Sequence, residues 1–213
     1  GAAGFVGYHF SKKCLENDYS VIGFDNLNNY YDVNLKKARL NDIEKYSNKK
    51  GRFTFIKGNL EDKNHLEKVF KEHSPMYVVN LAAQAGVRYS ITNPEAYVES
   101  NLVGFGNIIE LCRKSKIKNF LYASSSSVYG GNKNMPFSES NGADHPISLY
   151  AASKRANELV AHSYSHLYSL PSIGLRFFTV YGPWGRPDMA YFIFTKKILN
   201  NELIEIYDNG RVE

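Results

Sequence analysis

Tyr150 and Lys154, in the run Tyr150-Ala-Ala-Ser-Lys154, stand four residues apart and share one face if the run is helical. A lysine ammonium beside a phenol favours the phenolate and lowers its pKa from a reference of about 10. A tyrosine tuned in this way takes a proton from a hydroxyl bound next to it. The run Ser124-Ser-Ser-Ser127 lies about 25 residues upstream, and one of its hydroxyls could hold the same oxygen. A tyrosine and a lysine at this spacing also arise by chance on a solvated helix. The spacing gains meaning from how the chain opens.

That opening is Gly1-Ala-Ala-Gly4-Phe5-Val6-Gly7, a GxxGxxG run leading into an amphipathic stretch at 8–15. Glycines in this pattern let the backbone turn tightly and approach a pyrophosphate, whose charge is met by a helix N-terminus. The apolar run at 21–24 ends in Asp25, 18 residues past Gly7, where a carboxylate bonds a ribose 2′-hydroxyl and selects NAD over NADP. Each of these residues singly is an ordinary turn residue; their joint spacing points to a dinucleotide. The motif calls for a strand before Gly1, so the sequence reads as an excerpt that lacks its first strand.

The elements that must position these groups alternate. Short apolar runs at 21–24, 53–56, 77–81, 120–123, 172–175 and 204–207 read as strands, and helical patterns occupy 35–46, 65–72, 95–114, 149–168 and 191–199. The runs are continuous rather than alternating, as in strands buried on both faces. This order predicts an α/β fold, a Rossmann-type doubly wound parallel sheet. Residues 1–181 form its NAD-binding domain and 182–213 begin a small substrate domain, whose remainder is expected beyond Glu213.

Composition narrows the function classes. Net charge is +5, with 26 Lys and Arg scattered among 21 Asp and Glu, and the absence of a basic stripe interleaved with aromatics argues against nucleic acid. A mean hydropathy of −0.39 without a long apolar run argues against a membrane span. The two cysteines, Cys14 and Cys112, make neither a disulfide framework nor a metal cage. His162 and His166 share helical spacing but have no acidic third ligand nearby, so no metal is expected.

Four longer segments carry a resemblance: Asp25-Asn-Leu-Asn-Asn-Tyr-Tyr-Asp32, Leu81-Ala-Ala-Gln-Ala-Gly-Val-Arg-Tyr-Ser90, Tyr122-Ala-Ser-Ser-Ser-Ser-Val-Tyr-Gly130 and Leu175-Arg-Phe-Phe-Thr-Val-Tyr-Gly-Pro-Trp-Gly-Arg-Pro-Asp-Met189. With them, nearly the whole chain resembles the extended short-chain dehydrogenases/reductases that act on nucleotide sugars, and most closely the branch that inverts UDP-glucuronate at C4. The resemblance implies a cytoplasmic homodimer carrying NAD, with Tyr150, Lys154 and Ser125 catalytic. It implies cofactor contacts from Gly1, Gly4, Phe5, Val6, Gly7, Asp25 and Asn26. Further contacts are implied from Asn59, Leu60, Leu81, Ala82, Ala83, Asn101, Ser124 and Phe178, besides Tyr150 and Lys154. Asn59 and Leu60 would touch adenine, and Asn101 would brace the catalytic region.

The UDP-sugar would meet Arg88, Ser125, Ser126, Ser127, Tyr150, Thr179 and Arg186. Related dehydratases and decarboxylases carry an acid just before Val-Tyr-Gly, where this chain has Ser126 and Ser127, which favours simple epimerisation. Arg186 or Arg88 would receive the uronate carboxylate or the diphosphate, although Asp188 stands close enough in sequence to pair with Arg186 instead. A 4-epimerase of a neutral UDP-sugar, a UDP-glucuronate decarboxylase and a non-catalytic NAD-binding module remain as alternatives.

Overall fold

The computed structural model describes residues 1–47 and 52–205. Its elements in chain order are α1 (Phe5–Glu16), β1 (Val21–Asp25), α2 (Val33–Ser47), β2 (Phe53–Lys57), α3 (Lys63–His73) and β3 (Tyr77–Asn80). There follow α4 (Tyr89–Thr92), α5 (Pro94–Tyr97), a π-helical stretch (Val98–Val103), α6 (Gly104–Lys114), β4 (Asn119–Ser125), a 3₁₀ turn (Ser126–Tyr129), α7 (Leu149–Tyr168), β5 (Ser172–Phe177) and α8 (Ala190–Leu199). Strands and helices alternate, and every strand pairing is parallel, as expected of the fold class.

β1 pairs with β2, and β3, β4 and β5 pair in that order. The glycine turn sits between the two groups. The Ala2 amide donates to the Phe24 carbonyl on β1 at 3.2 Å, and a side chain at Gly1 would lie 2.6 Å from the Ala82 amide just beyond β3. One core joins α3, α6 and α7 to β4 through Leu66, Phe70, Ile109, Cys112, Phe120 and Ala161. A second joins α1 and α2 through Tyr8, Leu15, Leu40 and Ile43. In α7 the buried positions Ala151, Ser153, Lys154, Asn157 and Ala161 recur at helical spacing, and Ser148 caps the first turn by accepting from the Ala151 amide. Such a cap contributes about 1 kcal/mol, and it fixes the turn that carries Tyr150.

Two expectations about elements are corrected. The single helix at 95–114 is a sequence of α5, a π-helical stretch and α6, which places Asn101 inward at the irregular turn. In the expected strand at 204–207, Ile204 and Glu205 are not in strand, and the rest lies outside the described residues. Among the described residues, no helix is long and apolar enough to cross a membrane.

Candidate active site

The carboxyl ends of the strands open on one cavity of about 580 Å³, reached by Asp25 from β1, Gly58 after β2, Leu81 after β3, Ser124 and Ser125 from β4 and Phe177 from β5. This is where ligands bind in open parallel sheets.

One end is built by the glycine turn. A Cβ at Gly7 would fall 1.9 Å from the Gly1 carbonyl oxygen, so only glycine lets the turn close. Gly4 has extended backbone and no side chain caps α1, which leaves the amides of the first turn available to an anion. Gly1, Gly4, Phe5, Val6 and Gly7 all line the cavity. Asp25 is held by two amides, Ala3 N–H to Oδ2 at 3.0 Å and Leu27 N–H to Oδ1 at 2.9 Å, with lone pairs left over for hydroxyl donors. Asn26, Leu60, Leu81, Ala82 and Ala83 complete this end. An uncapped helix start beside an anchored carboxylate and a wall of small residues fits a dinucleotide such as NAD.

Lys36, one of the scattered basic residues to which no role was assigned from sequence, also lines this end. Its Nζ donates to the Asn28 carbonyl at 2.7 Å and Oδ1 at 2.6 Å. Burial lowers its pKa, against the charge of Asp25. Two expected cofactor residues do not reach the cavity. Asn59 is exposed, and its carbonyl accepts from the Asp62 amide at the start of α3. Asn101 is 1% exposed and braces instead. Its Oδ1 accepts from the Gln84 amide at 2.8 Å, its Nδ2 donates to Ser153 Oγ at 3.0 Å, and that hydroxyl donates to the Tyr150 carbonyl at 2.8 Å.

At the other end the structure brings together Tyr150, Lys154, Ser124, Ser125, Ser126, Ser127, Phe178, Thr179, Arg88 and Arg186. The expected action of Lys154 on Tyr150 is corrected. Burial raises the Tyr150 pKa, opposed by a hydrogen bond with Ser125 and by the charge of Arg186. Lys154 donates to the Ala123 carbonyl at 2.9 Å, and burial pulls its own pKa down to about 8. Tyr150 and Lys154 do share a face, but the ammonium is turned to the end of β4.

Ser125 does two things, since its Oγ also accepts from the Ser127 amide and caps the 3₁₀ turn at 3.1 Å. Ser124 donates to Glu158 Oε1 at 2.5 Å, and that carboxylate receives Arg176 from β5 and Arg155 from its own helix. Ser124 thereby spends its proton on Glu158 and keeps only acceptor capacity. Arg186 is paired: its guanidinium grips Asp188 at both oxygens through Nε and Nη2, with Nε at 3.0 Å from Oδ1, and the Tyr30 hydroxyl donates to Asp188 Oδ2 at 3.2 Å. The Asp188 pairing is the alternative its nearness in sequence suggested; the reach of Tyr30, 158 residues distant, could not be read from the sequence.

A family model described as the NAD dependent epimerase/dehydratase family matches residues 1–213. The chain is 58% identical over 212 residues to Protein CapI of Staphylococcus aureus, covering 100% of this chain and 62% of that protein. It superposes with a TM-score of 0.90 at 33% identity on the UDP-glucuronic acid 4-epimerase of Bacillus cereus in complex with UDP-glucuronic acid and NAD, covering 99% of this chain and 65% of that one. With the UDP-glucose 4-epimerase of Thermotoga maritima with UDP-glucose, the TM-score is 0.87 at 33% identity, with the same coverages of 99% and 65%. The chain thus spans less than two thirds of the length of these relatives.

Proposed function

The chain belongs to the NAD dependent epimerase/dehydratase family, and from that premise we propose that it serves a nucleotide-sugar 4-epimerase that interconverts UDP-glucuronate and UDP-galacturonate. The observation that carries this reading is a single cavity with an anchored dinucleotide-type acid at one end and Tyr150, Ser125, Arg88 and Arg186 at the other. Residues 1–181 are the dinucleotide-binding domain in this reading, and 182–213 begin the substrate domain. The likeness to a UDP-glucuronic acid 4-epimerase supports the substrate.

The glycine turn, Asp25, Lys154 and the small residues Ala82 and Ala83 would hold NAD. The chemistry NAD supplies when bound is reversible hydride exchange with the sugar's C4. The proton is the protein's own part. Tyr150 Oη takes it from the 4-hydroxyl and later returns it, while Ser125 Oγ holds the oxygen in place. Ser125 and Arg186 offset part of the burial that keeps the phenol protonated. Lys154 keeps further N–H donors beyond its bond to Ala123, and these serve the cofactor ribose. Inversion follows when the 4-keto sugar presents its opposite face to the same pair. Exposed apolar side chains along the Val98–Val103 stretch and α7, among them Val98, Val103, Leu159 and Leu167, support a homodimer through these helices, which light scattering of the intact protein measures.

The pairing of Arg186 with Asp188 favours a second reading, a neutral UDP-sugar, because the guanidinium is already compensated. Incubation of the intact protein with UDP-glucuronate or UDP-glucose, followed by ¹H NMR of the anomeric protons, separates the two. UDP-galacturonate from the first and little product from the second is the expected result. Released CO₂ would instead mark a decarboxylase, and no turnover of either sugar would leave only an NAD-binding module.

A further inference from the structure

Arg39 in α2 is 0% exposed, and none of its hydrogen-bond partners among the described residues is a carboxylate. Nη1 donates to the Ala3 carbonyl at 3.0 Å and the Tyr31 hydroxyl at 2.6 Å. Nε and Nη2 reach the Trp184 carbonyl at 3.2 and 2.6 Å, and Nη2 reaches the Gly185 carbonyl at 3.3 Å. Burying a guanidinium without an anion is costly, so stability alone is a poor reason for it. A planar fork of five donors, however, can fix three backbone segments relative to one another. The three here are the glycine turn, the loop after β1 and the segment that carries Arg186.

The linkage continues at both ends. Ala3, whose carbonyl Arg39 holds, donates its amide to Asp25. Trp184, whose carbonyl Arg39 holds, packs its ring on Tyr8 of α1 with centroids 5.5 Å apart. Tyr30, next to Tyr31, bonds Asp188, the partner of Arg186.

We infer that Arg39 is a positioning residue that couples the dinucleotide end of the cavity to the Arg186 end, so that filling the glycine turn firms residues 182–187. The coupling does not depend on the sugar; only its effect on turnover rests on the proposed function.

Hydrogen exchange of the intact protein, read by mass spectrometry with and without NAD, tests the coupling. In the natural protein NAD slows exchange at both 1–8 and 182–187, the latter by about tenfold. In Arg39→Lys, whose single ammonium cannot span the three segments, NAD still protects 1–8 while protection at 182–187 is lost. Tyr31→Phe, which keeps the guanidinium and the fold, shows a smaller loss in the same place. In activity, Arg39→Lys lowers kcat/KM for UDP-glucuronate and adds little to Arg186→Leu, because both act through one loop. The inference is overturned if NAD leaves 182–187 unprotected in the natural protein. Full protection there in a folded Arg39→Lys or Tyr31→Phe variant, or equal loss at both segments, overturns it too. Exchange coupling in a protein inactive on UDP-glucuronate would sink the substrate assignment and leave the coupling standing.

Discussion

Along the β4–α7 wall of the cavity, polar side chains are placed by neighbours in one strand and one helix: Ser148 caps α7, Ser153 holds the Tyr150 carbonyl, and Lys154 bonds the end of β4. The opposite wall, residues 26–39 and 178–188, is placed by side chains that reach across the chain. Arg39 bonds Trp184 over 145 residues and Tyr30 bonds Asp188 over 158. The first wall therefore rests on bonds spanning at most 52 residues, some of them within α7, while the second rests on bonds across most of the chain. In the proposed function this difference would separate what each wall contributes: proton transfer on one, and recognition coupled to the bound dinucleotide on the other.

The contrast breaks first at Tyr150. Tyr150→Phe keeps the ring, which packs against Tyr97 at 6.1 Å between centroids, and removes only the hydroxyl. Turnover should fall by about 10²–10⁴-fold, with the NAD-induced rise in melting temperature unchanged. Activity within about tenfold of the natural protein would move the base to another residue and undo the division between the walls.

The same contrast explains what the sequence reveals. The parallel sheet, α7 to its end residues and the cavity-lining glycines, Asp25, Tyr150 and Lys154 are legible because each belongs to a local pattern of spacing, whereas Ser125 is singled out only through the resemblance around Val128-Tyr129-Gly130. Arg39 is not, since a lone arginine on a helix looks solvated until its distant carbonyls are found. Four successive serines are chemically alike, so which one caps and which one bonds Glu158 is decided by the 3₁₀ turn and by Arg176 on β5. Asn101 carries no periodic signal because it lies in a π-helical stretch. Asn59 misled because the adjacent Leu60 does line the cavity while the asparagine faces out. Tyr150 and Lys154 share a face as spacing requires, yet spacing says nothing about which way a long side chain points, and Ala123 takes the ammonium.

Arg186 joins the two walls, because its charge acts on Tyr150. Arg186→Leu should lower kcat/KM for UDP-glucuronate by about 2 kcal/mol, the low end for a desolvated charge pair, since Asp188 competes for the same guanidinium. It should also shift the acidic limb of the pH–rate profile upward, as the phenol loses a cation that favours its ionised form. A neutral UDP-sugar would show the pH shift without the selective loss. Equal losses on both sugars with an unmoved profile would reduce Arg186 to a prop for its loop.

The last effect is on stability rather than on rate and concerns Lys154 in the NAD-free protein. Its folded pKa of about 8 lies below the ordinary lysine value of 10.5 because burial disfavours its charge. Below pH 8 both folded and unfolded chains hold the proton, and the burial penalty is fully present. Between 8 and 10.5 the unfolded chain holds more protons than the folded one, so the stability contribution of this group rises with pH, by at most about 1.4 kcal/mol per unit. Above 10.5 neither form is charged and the penalty is gone. Lys154→Met should remove this slope: urea midpoints of the two proteins should diverge at pH 8 and converge by pH 10, with the variant the more stable at the lower pH. Saturating NAD should flatten the slope of the natural protein, because a ribose oxygen on the ammonium favours its charged form. Parallel curves with and without the substitution would mean that the ammonium is solvated rather than held at Ala123, and that the β4–α7 wall is as dependent on its ligand as the wall it faces.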